Sequence, residues 1–266
     1  MRRLSRTGWL LGAMAAAAIA QPAAAAPARK APAPRPAAAP KGPGSLSGIW
    51  MMQGYISSAR PPRERIARDV DGNIPPMLPW AKAVVEKRIA EAEQGRIYAN
   101  TAFYCLPEGI PYMLFSAVIG PIQVLETPGQ VTVISEEFNE VWITLLNQKH
   151  RGDDEREPPT FHGESVGRWE GDTLVIDTIN LHERTTLDQI GMPHTDALHV
   201  TTRAKRLDAD TLEFRVTMDD PKTFERPWTR RVLYKKAPAG ERIEDYACTN
   251  IRNTATPDGY QKPDFD

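Results

Sequence analysis

From about residue 111 onward, short apolar runs rich in β-branched residues alternate with polar turns. Residues 121–126, 131–136 and 141–147 read as strands, separated by Thr127-Pro128-Gly129-Gln130 and by Glu137-Phe138-Asn139. Arg168-Trp169-Glu170-Gly171-Asp172-Thr173-Leu174 then places an acidic tight turn between two strands. Arg206-Leu207-Asp208-Ala209-Asp210-Thr211-Leu212 repeats that arrangement. Further strands are predicted at 211–219 and 228–236, and a last one at 243–248. Earlier in the chain, Leu46-Ser47-Gly48-Ile49-Trp50 begins a strand, and the Pro- and Arg-rich stretch 57–79 reads as loop. Ala81, Val84, Val85, Ile89 and Ala92 recur at helical spacing and predict one helix over 80–94, ending at Gly95.

Nine or ten consecutive strands beside one helix point to a mainly β fold. An antiparallel meander that long best removes its exposed edges by closing, so a lipocalin-like (calycin-like) barrel with one flanking helix is expected, with a β-sandwich as the alternative. Gly48-x-Trp50 agrees with the first strand of such barrels.

The strand pattern also assigns faces. Leu198, Val200, Thr202 and Ala204 share one side of their strand, while His199, Thr201, Arg203 and Lys205 share the other. Leu212, Phe214, Val216 and Met218 oppose Glu213, Arg215 and Thr217, and Val175 and Asp177 oppose Leu174 and Ile176. Two meanings fit. The polar faces meet water, with charges paired across strands, or they line a cavity.

The first 44 residues stand apart. Arg2, Arg3 and Arg6 precede an apolar run from Trp9 to Ala20 that is too short for a permanent anchor. Ala24-Ala25-Ala26 suits a cleavage site, so residues 1–26 read as an export signal. Residues 27–44 form a Pro/Ala-rich basic spacer with Arg29, Lys30, Arg35 and Lys41. The expectation is one domain over 45–266, periplasmic or secreted, without a transmembrane anchor.

Charge changes the picture once the spacer is set aside. Seven of the 33 Lys and Arg precede Ser45 and no Asp or Glu does, so residues 45–266 carry 26 basic against 34 acidic side chains, a net of −8. That balance argues against a nucleic-acid partner. Cys105 and Cys248 are the only cysteines, and an even pair in an oxidising compartment reads as a disulfide.

Candidate chemistry concentrates in one segment. All five histidines, His150, His162, His182, His194 and His199, fall within fifty residues, and histidine is the side chain that titrates near neutrality. The connection from Asn180 to Thr195 is longer than most hairpin loops and carries His182, Glu183, Arg184, Asp188 and His194. A converging site would use His194 or His199 as acid–base group, Asp196 or Asp177 to orient the ring, and His162, His182, Arg184 and Arg203 to hold a small organic substrate. Such a site suits cofactor-free hydrolysis, elimination or isomerisation. A non-catalytic small-ligand binding module and a structural envelope protein are the alternatives.

Three motifs carry less. Gly163-Glu164-Ser165-Val166-Gly167 has the letters of a nucleophile elbow without the strand-then-helix context such a turn requires. Asp69-x-Asp71-Gly72-Asn73 has its glycine at the wrong place for a calcium loop and reads as an Asx-type turn. His194-x-Asp196-x-x-His199 offers zinc-type donors on a loop-to-strand junction, where spacing does not imply convergence, so no metal ligand is assigned.

Gly167-Arg168-Trp169-Glu170-Gly171-Asp172-Thr173-Leu174-Val175-Ile176-Asp177-Thr178, with Pro193-His194-Thr195-Asp196-Ala197-Leu198-His199, resembles a family of secreted, mostly β proteins of acidobacteria and sphingomonad-like proteobacteria. Cys105-Leu106-Pro107, Asp219-Asp220-Pro221, Pro227-Trp228 and Tyr246-x-Cys248 extend the resemblance over most of 45–250. It implies one export-targeted β domain with paired cysteines and selects no activity.

Overall fold

Strand β1 (Gly48–Gln53) is the first element among the described residues of the computed structural model, which are 45–54, 59–116, 120–152, 155, 157–246, 248 and 260–261. The expected export signal and spacer lie outside the described residues. After β1 come the helix α1 (Pro79–Glu93), the two-residue strand β2 (Ile97–Tyr98) and the single turn α2 (Met113–Ser116). The main strands follow: β3 (Ile122–Thr127), β4 (Gln130–Ser135), β5 (Glu140–Leu146), β6 (Glu164–Glu170), β7 (Thr173–Ile179), β8 (His199–Asp208), β9 (Thr211–Asp219) and β10 (Trp228–Lys236). A second two-residue strand, β11 (Tyr260–Gln261), pairs with β2.

The nine long strands close into a barrel in the order β1-β10-β9-β8-β7-β6-β5-β4-β3. β1 makes the closure, pairing with β10 through Trp50↔Lys236 and with β3 through Trp50↔Ile122. Barrel and flanking helix are as the pattern predicted, with two differences. β5 and β6 run parallel, at Leu145↔Val166 and Leu146↔Gly167, so the chain leaves β5 at one end of the barrel and enters β6 at the other instead of turning tightly. Residues 243–246 are not a strand. β1 already occupies the edge between β10 and β3, so this segment finds no free ladder and binds side chains instead: Glu244 N–H donates to Glu136 (2.9 Å) and Tyr246 N–H to Asn139 Oδ1 (3.2 Å).

Period-2 alternation decides the interior. On β5, Glu140, Trp142, Thr144 and Leu146 are buried, whereas Val141, Ile143 and Leu145 are exposed. The inner face gathers Trp50, Trp142, Leu174, Ile176, Phe214 and Tyr234 into one core. Each such side chain removed from water contributes about 1.5–3 kcal/mol. The helix α1 lays Ala81, Val85 and Ile89 against this core.

The barrel's two ends differ. Two-residue turns join β3 to β4, β6 to β7 and β8 to β9 at one end. At the other, long segments connect β1 to β3, β7 to β8 and β9 to β10, and the crossover climbs from β5 to the start of β6. Cys105 and Cys248 form a disulfide with Cα atoms 5.8 Å apart, fastening the C-terminal segment over this capped end. Among the described residues no helix is long and apolar enough to cross a membrane.

Candidate functional site

All the histidines are carried by, or open onto, the segments of the capped end, because β6 and β8 begin there and the crossover and the 180–198 connection arrive there. The candidates nevertheless divide into separate groups.

His194 is buried and enclosed by its own loop. Its Nδ1–H donates to Thr195 O (2.9 Å), and Nε2 accepts from the Thr185 hydroxyl (2.6 Å). Burial lowers its pKa, so the ring is held neutral. Asp196, two residues on, points into solvent and pairs with Lys222 (2.7 Å). His194 is a satisfied scaffold residue, and the structure does not join it to Asp196 or His199.

His199 and Asp177 do meet. They stand on the outer faces of β8 and β7, with His199 Nε2 hydrogen-bonded to Asp177 Oδ1. Asp177 Oδ2 lies 3.8 Å from His150 Nε2, and His150 Nδ1 lies 3.2 Å from Glu164. The side chains of His199 and Asp177 are 44% and 37% exposed, so this pair sits in water on the barrel wall. Arg203, on the same face, pairs with Glu170 (2.9 Å), and Lys205 with Asp172 (3.0 Å). The polar faces of β7 and β8 therefore look outward and do not line the interior, because alternation gives the inner rows to Leu174, Ile176, Val200 and Ala204.

His182 stacks on Phe161 (ring centroids 5.5 Å apart), and its Nδ1 accepts from Arg184 N–H (3.1 Å). Arg184 is exposed and borders a cavity of about 150 Å³ with Tyr98, Asn100 and Tyr104. Neither reaches His199 or Asp177 through any described contact.

His162 belongs to the best-ordered pair. Its Nε2–H donates to Glu140 Oε2 (2.8 Å). The Glu140 side chain is 1% exposed and the His162 side chain 21%. Backbone N–H groups of Glu108 and Gly109 donate to the two Glu140 oxygens, each at 2.9 Å. Gly109 has a φ of 74°, and a Cβ there would stand 2.1 Å from Phe161 O, so only glycine brings its amide to that carboxylate. The result is a dry, anchored acid orienting a partly open imidazole. The Nε2–H is thereby committed to Glu140, and the described residues make no hydrogen bond to Nδ1.

Two further glutamates surround Glu140. Glu108 and Glu137 are both buried. Burial, and then the charges of Glu137 and Glu140, push the Glu108 carboxyl well above the usual range, against the Ser116 hydroxyl that hydrogen-bonds to it. Burial and the Glu137 and Glu108 charges also raise the pKa of Tyr246, whose ring lies edge-on to Phe138 (5.1 Å). The turn carrying Glu137 places Phe138 and Asn139 at φ 58° and 50°, a left-handed conformation uncommon for such residues.

The nucleophile elbow is absent: Ser165 lies inside β6, its hydroxyl bound to Trp142 Nε1 and Thr178 Oγ1, both at 2.8 Å. Asp69 makes the expected Asx turn, accepting from Asp71 N–H (2.9 Å) and Asn73 N–H (2.8 Å). The zinc-type donors His194, Asp196 and His199 go to three different partners. Among the described residues no three His, Cys, Asp or Glu are grouped to hold a metal ion.

Sequence reasoning missed Glu140, Glu108 and Arg230. Two of them left a signal. Glu140 occupies the inner phase of Glu140-x-Trp142-x-Thr144-x-Leu146, and Arg230 that of Trp228-x-Arg230-x-Val232-x-Tyr234. A charge in the apolar register of a strand marks a buried polar role. No protein-family model and no curated protein matches the chain.

Proposed function

We propose that this chain is an exported protein that receives a small organic molecule at the capped end of its barrel and performs cofactor-free proton transfer on it. His162 is the acid–base group and Glu140 positions it. The observation that carries this reading is the buried Glu140 carboxylate, pinned by two backbone amides and hydrogen-bonded to a partly open histidine. The unprotonated Nδ1 takes a proton from the bound molecule, or in hydrolysis from the water whose oxygen attacks it, and the imidazolium so formed returns the proton to another atom of the same molecule or to the leaving group. The Glu140 carboxylate stabilises the imidazolium throughout. That sequence suits isomerisation, elimination or hydrolysis. The export signal features, the disulfide and the family resemblance support an oxidising, extracytoplasmic location.

The test is a panel of small esters, hydroxy acids and keto acids incubated with the mature protein in D₂O, with product or deuterium incorporation read by mass spectrometry. Turnover of at least one compound is expected, falling about 10²- to 10⁴-fold in His162→Gln while the far-UV spectrum is unchanged. Equal rates in the variant would remove His162 from the chemistry. Ligand-induced thermal shifts without any conversion would make the protein a binding module. Neither shift nor conversion, with envelope co-sedimentation that needs residues 27–44, would make it a structural protein.

A further inference from the structure

Arg230 faces the inside of the barrel. It lies in the inner register of β10 between Trp228 and Val232, in a cross-strand row with Val216 and Thr202. Its guanidinium lies over the Phe115 ring, 4.1 Å from the centroid. A guanidinium presents five N–H donors and no acceptor. Among the described residues none of these donors has a hydrogen-bond or ion-pair acceptor.

The nearby Asp188 and Tyr234 are held by other partners. Asp188, the acid that acts on Arg230 from farther away, accepts from Ala67 N–H (2.9 Å) through one oxygen and Met192 N–H (2.8 Å) through the other. The Tyr234 hydroxyl donates to Leu114 O (3.0 Å). Arg230 itself is half-buried, and beside it two fully buried inward groups, Trp228 Nε1, a donor only, and Thr202 Oγ1, lack partners among the described residues. Buried polar groups are normally satisfied, so a set of unmatched donors marks a place where something else supplies the acceptors. Apolar Phe115, Val216 and Met218 occupy the same rows and contacts.

We infer that Arg230 anchors a small organic carboxylate inside the capped end of the barrel, with Trp228 Nε1–H as a second donor and the apolar body of the ligand against Phe115. The carboxylate brings two acceptor oxygens with the geometry a guanidinium fork matches. The inference rests on the preceding proposal only in placing the ligand at this end. It names the class of molecule.

Benzoate is the probe, with benzamide as its uncharged counterpart and inorganic phosphate as a generic anion, titrated calorimetrically into the mature protein. Benzoate is expected to bind, benzamide and phosphate to bind about tenfold more weakly or worse. Arg230→Met is expected to weaken benzoate by at least that factor. Replacing a buried cation by an apolar side chain of similar length is commonly tolerated, so this variant is expected to fold. Trp228→Phe, which keeps the ring plane and removes the N–H, is expected to weaken benzoate by a smaller factor and decides the matter if Arg230→Met does not fold. No benzoate binding at millimolar concentration, equal binding of benzamide, or unchanged binding in the variants would overturn the anchor. An adequate anchor with no turnover in the panel would sink the proton-transfer reading alone. Turnover with KM and benzoate binding unchanged in Arg230→Met would sink the anchor alone.

Discussion

At one end of the barrel the turns are Pro128-Gly129, Gly171-Asp172 and Ala209-Asp210, and the rows above them hold Val131, Leu146, Leu174, Ala204 and Phe214. At the other end long segments converge under a disulfide, and the inner positions include Glu140, Thr202 and Arg230. The first end needs nothing but alternation and tight turns, so it is stable and chemically silent. The second spends stability on buried charges and unmatched donors, the usual condition of a working site. The outer wall is a third environment. There His199, Asp177, Arg203 and Glu170 pair in water, where pairing contributes little.

The comparison can be broken hardest at the disulfide. Replacing Cys105 and Cys248 by serine releases a loop of 143 residues, and the chain-entropy model gives a loss of roughly 5 kcal/mol. Hydrogen exchange is expected to show the segments around Glu108 and Glu137 opening first, with β8 and β9 still protected. Uniform opening of both ends would mean that they do not differ in stability.

A Phe214→Ala substitution in the silent end is expected to cost about 3–5 kcal/mol in denaturant unfolding, with the Arg230 site keeping its affinity for benzoate. Glu140→Gln at the capped end is expected to cost about 1–3 kcal/mol, since an amide cannot accept from both backbone N–H groups and His162 together. A change smaller than a surface substitution would show that Glu140 is not the anchor of that end.

The capped end also sets a pH window. Glu108 has a folded pKa raised by burial and by the neighbouring charges of Glu137 and Glu140. Its folded state holds the proton more tightly than the unfolded chain, so stability is full below the ordinary carboxyl value and is lost as pH rises through the folded value. His194 has a folded pKa lowered by burial. The unfolded chain then binds the extra proton, so stability is lost as pH falls below the ordinary histidine value of about 6.5. The two groups therefore act in opposite senses, Glu108 costing stability toward alkaline pH and His194 toward acid pH. Glu108→Gln is expected to lift the alkaline side without altering the acid side. A variant curve parallel to the wild type at all pH values would remove Glu108 from that role. The smallest effect is expected on the wall: Arg203→Ala, which loses the exposed pair with Glu170, is expected to change stability by under about 0.5 kcal/mol.

Much of the barrel was legible along the chain. The stripe Ala81, Val85, Ile89 gave α1, and alternation gave β3, β4, β5, β9 and β10 to within a residue or two. The parallel β5–β6 pair was not legible, because a long connection does not say whether the chain returns or crosses. Histidine crowding along the chain located one end of the barrel but no arrangement there: His194 is buried among partners in its own loop, and His199 stands on the outer wall. Their surroundings depend on what lies opposite them: Thr185 on the same loop for His194, and Asp177 on the neighbouring strand for His199. Glu108 and Glu140, thirty-two residues apart, meet only because the barrel closes beneath them.

What the sequence determined by itself is therefore local: the period-2 faces, the turns, the helix, the paired cysteines and the absence of a basic footprint. The faces, turns and helix follow from backbone sterics and side-chain polarity within a few residues, and the cysteine pairing and charge balance from composition alone. The tertiary structure alone decided which charges became buried, which histidine received a dry carboxylate and which arginine turned inward without an acceptor. Burial and hydrogen-bond partnership are properties of what closes around a residue, and here that closure brings together segments more than a hundred residues apart.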